Sequence, residues 1–375
     1  MENLYNQTIK RERNDSQTLD KAITDCFVND SQAVVAMRVL TYVVIMIASL
    51  IGNCVVIRLV KKEGRSRSST SFYIANLAVC ALFFTIVYMP RVISLFLRGY
   101  QWLVLGLPGV FLCKAVIFLD YLATSVSILT VMIISLERCV VVAFPYRSAY
   151  ITTRLSKLMV LSTWLVGVFT QWPYLYSTDL VLKNGLVLCY IDYDRAFGIG
   201  AKQMYYNFSL IVIFFFPLAI TTVAYTIIVV KLKRRKNVGD CACSISSGRE
   251  RQNRQIIYMV LTVVTLFVLC WLLYFIFLVL YAYQIVVPCE VLFMRLFLAH
   301  LNSAITPYVY TKFSARYRRA FAAIIAPCCH CFCQKKLQEL RGRAEESYRM
   351  QKVWQETSKE HFNTGCSKRR WSKFW

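Results

Sequence analysis

Residues 113–145 read CKAVIFLDYLATSVSILTVMIISLERCVVVAFP, with Asp120, Glu137 and Arg138 set deep in an otherwise apolar run. A bilayer core about 30 Å thick takes roughly 20 predominantly apolar residues per helical crossing. The stretch from Cys113 to Val142 is long and apolar enough for one such crossing. A charge held at that depth is costly, so each of the three must face a protein interior and hold a partner. The run therefore predicts one membrane helix of a bundle.

The chain around it repeats the pattern. Uncharged stretches run from Val39 to Ile57, Ser68 to Pro90, Leu158 to Thr178 and Gln203 to Val230. A sixth lies within Gln255 to Pro288, and a seventh runs from about Val291 to Thr311 with Arg295 near one end. The whole chain of 375 residues is 57% hydrophobic and 14% aromatic, too apolar for one water-soluble domain. The expected fold is an all-α membrane protein: a seven-transmembrane helix bundle with a short amphipathic eighth helix at Ala315 to Ala323.

The net charge of +24 is distributed on one side. Arg58, Lys61, Lys62, Arg65 and Arg67 follow span one, Lys231 to Lys236 follow span five, and Arg316 to Arg319 follow span seven. The segment before span one carries more acids than bases. The positive-inside rule then sets the N-terminus outside and the basic tail in the cytoplasm. A charge confined to membrane-proximal loops is accounted for by topology, and no nucleic-acid partner is expected. The first thirty residues hold no apolar core of a secretory signal, so span one is expected to be its own insertion signal. The expected organisation is an extracellular glycosylated segment over 1–34, the bundle with its eighth helix over 35–325, and a cytoplasmic tail over 326–375. Asn6, Asn14 and Asn29 each open a glycosylation triplet on the outer side. The expected location is the plasma membrane, crossed several times and with membrane lipids as neighbours.

The fifteen cysteines sort by compartment. Cys113 opens span three at the outer face and Cys189 stands alone in the second outer loop, which makes a bridge between them the natural pairing. Cys26 and Cys289 also fall outside, either as a second bridge or as free thiols. Inside, Cys328, Cys329, Cys331 and Cys333 cluster beside His330. Their spacing is too tight for a tetrahedral zinc site from one strand of chain, and juxtamembrane cysteines beside basic residues suit palmitoylation. No metal and no cofactor is expected.

Span by span the chain resembles the rhodopsin-like family of G-protein-coupled receptors, from about Val35 to Phe321. The resemblance rests on Gly52-Asn53 in span one, Asn76-Leu-Ala in span two, and Glu137-Arg138-Cys139 with Pro145 in span three. It continues with Trp164 and Pro173 in span four, Pro217 and Tyr225 in span five, Phe267-x-x-Cys270-Trp271 in span six, and Thr306-Pro307-x-x-Tyr310 in span seven. The resemblance implies a receptor, not an enzyme, that activates a heterotrimeric G protein and meets arrestin and receptor kinases. It assigns coupling and activation to Glu137, Arg138, Ile128, Pro217, Tyr225, Phe267, Pro307 and Tyr310.

The same resemblance places a ligand-binding cavity around Asp120. That residue precedes Arg138 by five helical turns, roughly 27 Å at 1.5 Å per residue, so both lie on one helix face near opposite membrane surfaces. Around it the family pattern sets Thr124, Ser209, Trp271, Tyr274, Phe275, Phe297 and His300. An acid among aromatic rings suits a cationic ligand group, whose attraction to each ring is about 0.5 to 2 kcal/mol. The alternative is a structural partner for Asp120, such as His300. Asp179 to Tyr190 reads as apolar strands around Asn184-Gly185, a hairpin signal. A hairpin over the mouth resembles (neuro)peptide-binding members, and Phe297 and His300 depart from the amine-binding pattern. A biogenic amine held by Asp120 remains the other ligand class.

Three positions break the family signature. Ala81 stands for the aspartate of span two, Leu273 for the proline of span six, and Thr306 for the asparagine of span seven. The first removes the counter-ion of an internal sodium ion, and the second restores an N–H that proline lacks. These departures leave an atypical or decoy receptor with weak coupling as a further alternative. At the foot of span six Asn253 replaces the acid that would restrain Arg138. A transporter is disfavoured because no internal repeat is visible, and a retinal-binding protein because His300 stands where span seven would need a lysine.

Overall fold

A computed structural model describes residues 23, 25–28, 30–62, 69–144, 146, 150–183, 185–237, 245–315 and 317–323, without the side chains of 233–237 and 245–254. The chain forms two compact units, 1–318 and 319–375. Only 319–323, which are helical, are described in the second. Asn6, Asn14, Asn29, the cysteine cluster at 328–333 and the side chain of Asn253 lie outside the described residues.

The first unit is a helix bundle. Helix α1 spans Gln32–Lys62. Helices α2 (Ser69–Phe83) and α3 (Met89–Arg98) continue each other through a π-helical turn, Phe84–Tyr88. Helix α4 is Gly106–Ala143, α5 Thr153–Gln171 and α6 Pro173–Ser177. The hairpin β1 (Thr178–Lys183) and β2 (Leu186–Ile191) and the short α7 (Tyr193–Phe197) come next. Helix α8 (Ala201–Phe208) runs through a second π-helical turn, Ser209–Phe215, into α9 (Phe216–Asn237). Helices α10 (Ile245–Ala282) and α11 (Cys289–Phe313) complete the unit.

Both π-helical turns end two residues before a proline, Pro90 and Pro217. A proline ring collides with the carbonyl four residues back and offers no N–H to it, and widening the turn relieves both. Helix α10, with Leu273 rather than proline, has no such interruption.

Six stretches are long and apolar enough to cross a membrane: 32–62, 69–98, 106–143, 153–177, 201–232 and 255–282. Their outer faces expose Leu40, Val44, Ile47, Leu165, Phe169, Ile211 and Phe216. An apolar surface this continuous is untenable in water and expected in lipid. The protein is a multi-pass membrane bundle. Helix α11 has the length but is more polar, because Arg295, His300 and Asn302 interrupt it.

Polar side chains set the bundle's register. Asn76 Nδ2 donates to Thr130 Oγ1 at 2.8 Å while its Oδ1 accepts from Trp164 Nε1 at 2.8 Å, which ties α2 to α4 and α5. Asn53 Nδ2 donates to the Ser303 carbonyl at 3.1 Å, and Ser49 meets Thr85 at 2.7 Å. Gly52 admits α11: a Cβ there would lie 2.8 Å from the Pro307 Cβ.

Candidate functional site

Two disulfides organise one end of the bundle. Cys113 at the start of α4 joins Cys189 on β2, and Cys26 joins Cys289 at the start of α11. The hairpin pairs Thr178 with Ile191 through to Lys183 with Leu186, and Gly185 takes a φ of +77° at its turn. The Trp102 amide donates to the Val187 carbonyl at 2.7 Å, so the 99–102 loop lies along the hairpin's free edge. Phe27, beside the other disulfide, packs edge-on to Phe96, and Arg38 sits over Phe27 while pairing with Asp30.

Beneath this cover is a cavity of about 180 Å³. Its wall includes Tyr88, Tyr121, Tyr274 and three basic residues, Arg91, Lys183 and Arg295, and no carboxylate among the described residues. Arg91 donates to the carbonyl oxygens of Tyr100 at 2.9 Å and Gln101 at 3.4 Å, with its guanidinium 5.2 Å from the Trp102 ring centre. Arg295 stacks on Phe277, 3.9 Å from the ring centre, and its buried Nε meets no acceptor. Lys183 lies 3.8 Å from the centre of the Tyr190 ring.

Of the eight ligand-contact candidates, only Tyr274 lines this cavity. Asp120 is buried on α4, forms no ion pair among the described residues, and is near enough to interact electrostatically with Tyr88, Tyr121, Tyr274 and Arg295. It stands behind the cavity wall that those tyrosines form. Thr124, Ser209, Tyr274 and Phe275 come together around a smaller void of about 10 Å³. Phe297 packs on Phe293 with ring centres 5.8 Å apart. His300 faces Tyr42, whose hydroxyl lies 3.2 Å from its Nδ1. Trp271 lies between Phe267 and Tyr274, with ring centres 5.6 and 5.3 Å away.

Sequence reasoning missed Arg91 and Lys183 and took Arg295 only as a boundary mark. A signal existed for the last: an ionisable residue inside a span is a functional candidate by default. Arg91 and Lys183 gave none, because basic residues at span ends and on loops are common.

At the opposite end of α4, Glu137 and Arg138 are buried and ion-paired. Glu137 Oε1 also accepts from Thr70 Oγ1 at 3.5 Å. Tyr225 and Tyr310 are buried in the same apolar cluster as Cys139 and Val142. Midway along the bundle Ile128, Pro217 and Phe267 border one void of about 20 Å³. Three residues from three separate helices thus meet at one point.

Residues 52–310 match the 7 transmembrane receptor (rhodopsin family). The chain belongs to that family. It is a family of receptors and not of enzymes. The receptor is similar to the somatostatin receptor type 4 of Rattus norvegicus, 28% identical over 312 residues that cover 81% of this chain and 75% of that one. It is also similar to the QRFP-like peptide receptor of Branchiostoma floridae, 28% identical over 305 residues covering 76% of each chain. A third relative is the growth hormone secretagogue receptor type 1 of Sus scrofa, 28% identical over 324 residues, 82% of this chain and 85% of that one.

Proposed function

We propose that this receptor takes an extracellular peptide into the cavity under its hairpin and passes the event along α4 to a heterotrimeric G protein at the Glu137–Arg138 end. The observation that carries the reading is that one helix serves both places. Its first turns are bridged to the hairpin through Cys113, and its far end holds the buried ion pair. Three similar proteins carry peptide, somatostatin or growth hormone secretagogue in their names, and a hairpin-covered cavity suits a peptide end. A bound amine would need Asp120 in the cavity wall, where Tyr88, Tyr121 and Tyr274 stand. Contacts at Thr124, Ser209 and Phe275 suit a ligand that reaches past Tyr274 into the void those residues share with it.

The proposed topology has seven crossings, an extracellular N-terminus and a cytoplasmic tail in the plasma membrane. Both disulfides lie at the hairpin end, as an oxidising compartment on that side would require. Helix α11, with 25 residues, is about 37 Å long at 1.5 Å per residue and so can cross even with three polar side chains turned inward. An eighth helix over 315–323 would lie on the inner leaflet. Helical backbone at 317–323 and the Tyr317 ring, 5.4 Å from that of Tyr310, support it. Glycans on Asn6, Asn14 and Asn29, palmitate on Cys328, Cys329, Cys331 or Cys333, and arrestin and receptor kinases on the 326–375 tail complete the proposal.

The test applies a peptide library to cells expressing the full chain and reads calcium and cyclic nucleotides. The expected result is a response absent from cells carrying Arg138→Ala at equal surface level. A response indifferent to that substitution, or none to any peptide, overturns the reading.

A further inference from the structure

The notable property of the cavity is its charge. Arg91, Arg295 and Lys183 line it, and no aspartate or glutamate does among the described residues. Arg91 meets neutral carbonyls and the face of Trp102, which orient its charge without cancelling it. Arg295 is held by an aromatic face, with its Nε buried and unmet. The two ion pairs among the described residues, Arg38–Asp30 and Arg138–Glu137, involve neither arginine. Both guanidinium groups are within electrostatic reach of Tyr88 and Tyr100, which line the same cavity, and Asp120 also reaches Tyr88.

A guanidinium stays protonated in any protein environment, and Arg91 and Arg295 are both only partly exposed, so their charges are incompletely hydrated. Two such groups facing one aromatic-walled space leave a net positive field. Neutral partners cannot balance it. The group complementary to this field is an oxyanion, and the planar fork of an arginine matches a carboxylate through two parallel hydrogen bonds. Asp120 is within electrostatic reach of Arg295, but it forms no ion pair with either arginine and does not line the cavity, so a single acid stands outside a wall that carries three bases.

We infer that the cavity receives an anionic end of its peptide, an oxyanion held between Arg91 and Arg295 with Lys183 at the hairpin, rather than a cationic group presented to Asp120. This rests on the peptide-receptor reading above and specifies what the peptide must carry. The oxyanion is either a free C-terminal carboxylate or an acidic side chain. The surrounding tyrosines add apolar contact and hydroxyl donors for either source. Arg91 and Arg295 read the charge, while the aromatic wall reads the residues beside it.

The test uses two peptide libraries of identical sequences, one as free acids and one as C-terminal amides, applied to cells expressing the full-length receptor. Active sequences are then remade with each Asp and Glu as Asn and Gln. The expected result is that activity disappears on amidation if the terminus is the anion, or on Asp/Glu neutralisation if a side chain is. Arg91→Gln and Arg295→Gln should each raise the half-maximal concentration by about tenfold or more, the loss of a charge-assisted pair. Arg295→Lys should recover part of it. Surface level and thermal unfolding of each variant separate loss of binding from loss of folding. Active peptides that tolerate both neutralisations, or keep full potency on both Gln variants at normal surface level, overturn the inference and leave the peptide-receptor reading standing. Silence from both libraries overturns that reading, and the inference falls with it.

Discussion

The Tyr42 hydroxyl lies 3.2 Å from His300 Nδ1, so the histidine of α11 is bonded to α1 and not to Asp120. Rings of Phe84 and Tyr88 pack on the other sides of that imidazole, 6.4 and 5.5 Å between centres. His300 is therefore a structural bridge between the first and last long helices. Tyr42→Phe removes the hydroxyl and leaves a buried nitrogen unmet, at a cost of about 1–3 kcal/mol. Thermal unfolding of the purified receptor should drop while agonist potency on cells holds. A potency loss with unchanged unfolding would move His300 from the scaffold to the ligand.

Glu137 and Arg138 neutralise each other in a buried setting, and Arg138 Nε and Glu137 Oε2 have no hydrogen-bond partner among the described residues. Breaking such a pair by neutralising one member leaves an uncompensated charge, worth about 3–5 kcal/mol. In Glu137→Gln the arginine gains by leaving its place, which favours any state in which it reaches water or a partner. Ligand-independent nucleotide exchange should rise, by about tenfold if even a third of that energy biases the two-state equilibrium. Basal exchange equal to wild type would show that the pair is no restraint.

A void of about 30 Å³ is bordered by Asn53, Ala81, Ser127, Asn302 and Ser303, and the buried Asn302 Oδ1 accepts no hydrogen bond from the described residues. These neutral oxygens offer a cation ligands but no charge, and dehydrating a sodium ion is too costly without an anion to offset it. Agonist affinity should be the same in sodium chloride and in choline chloride. Ala81→Asp should make it sodium-dependent. A strong sodium effect on wild-type binding sinks this account.

Gly52 faces the Pro307 ring, with the Pro307 Cβ and Cγ 2.8 and 2.9 Å from where an added Cβ would stand. A proline ring has no free rotamer with which to retreat. Gly52→Ala must then push α1 off α11, at about 1–3 kcal/mol for overpacking. Lower surface yield and a lower unfolding temperature are the expected readouts. Wild-type values for both would mean that the two helices slide apart freely.

Much of the bundle was legible because lipid imposes a one-dimensional signal. Long apolar runs between basic loops give the crossings, and six of the seven expected are apolar enough by composition in the structure. The seventh, around Arg295 and His300, weakens that signal because its polar groups turn inward, which a linear reading cannot see. The Asn184-Gly185 hairpin was likewise visible, since the turn chemistry is local. The π-helical turns before Pro90 and Pro217 were not, because a proline in a helix can also produce a plain kink.

The site divides in the same way. Glu137 and Arg138 are neighbours in sequence, so their pairing needed no tertiary information. Ile128, Pro217 and Phe267 were three of the eight residues assigned to coupling by resemblance, and that they border one void is a fact of the bundle that the sequence did not give. The cavity wall could not be read in advance. Asp120 is the most conspicuous charge in the sequence, yet it is buried and does not line the cavity, whose wall includes Tyr88, Tyr121 and Tyr274.

By itself the sequence determined the medium, the helices and the inner ion pair, since hydropathy, charge placement and adjacency are properties of a line of residues. Only the tertiary structure decided which charges face the cavity. Arg91, Lys183 and Arg295 come from three elements far apart in the chain, and their meeting depends on helix rotation and on two disulfides. Such convergence depends on packing in three dimensions, and no linear pattern encodes it.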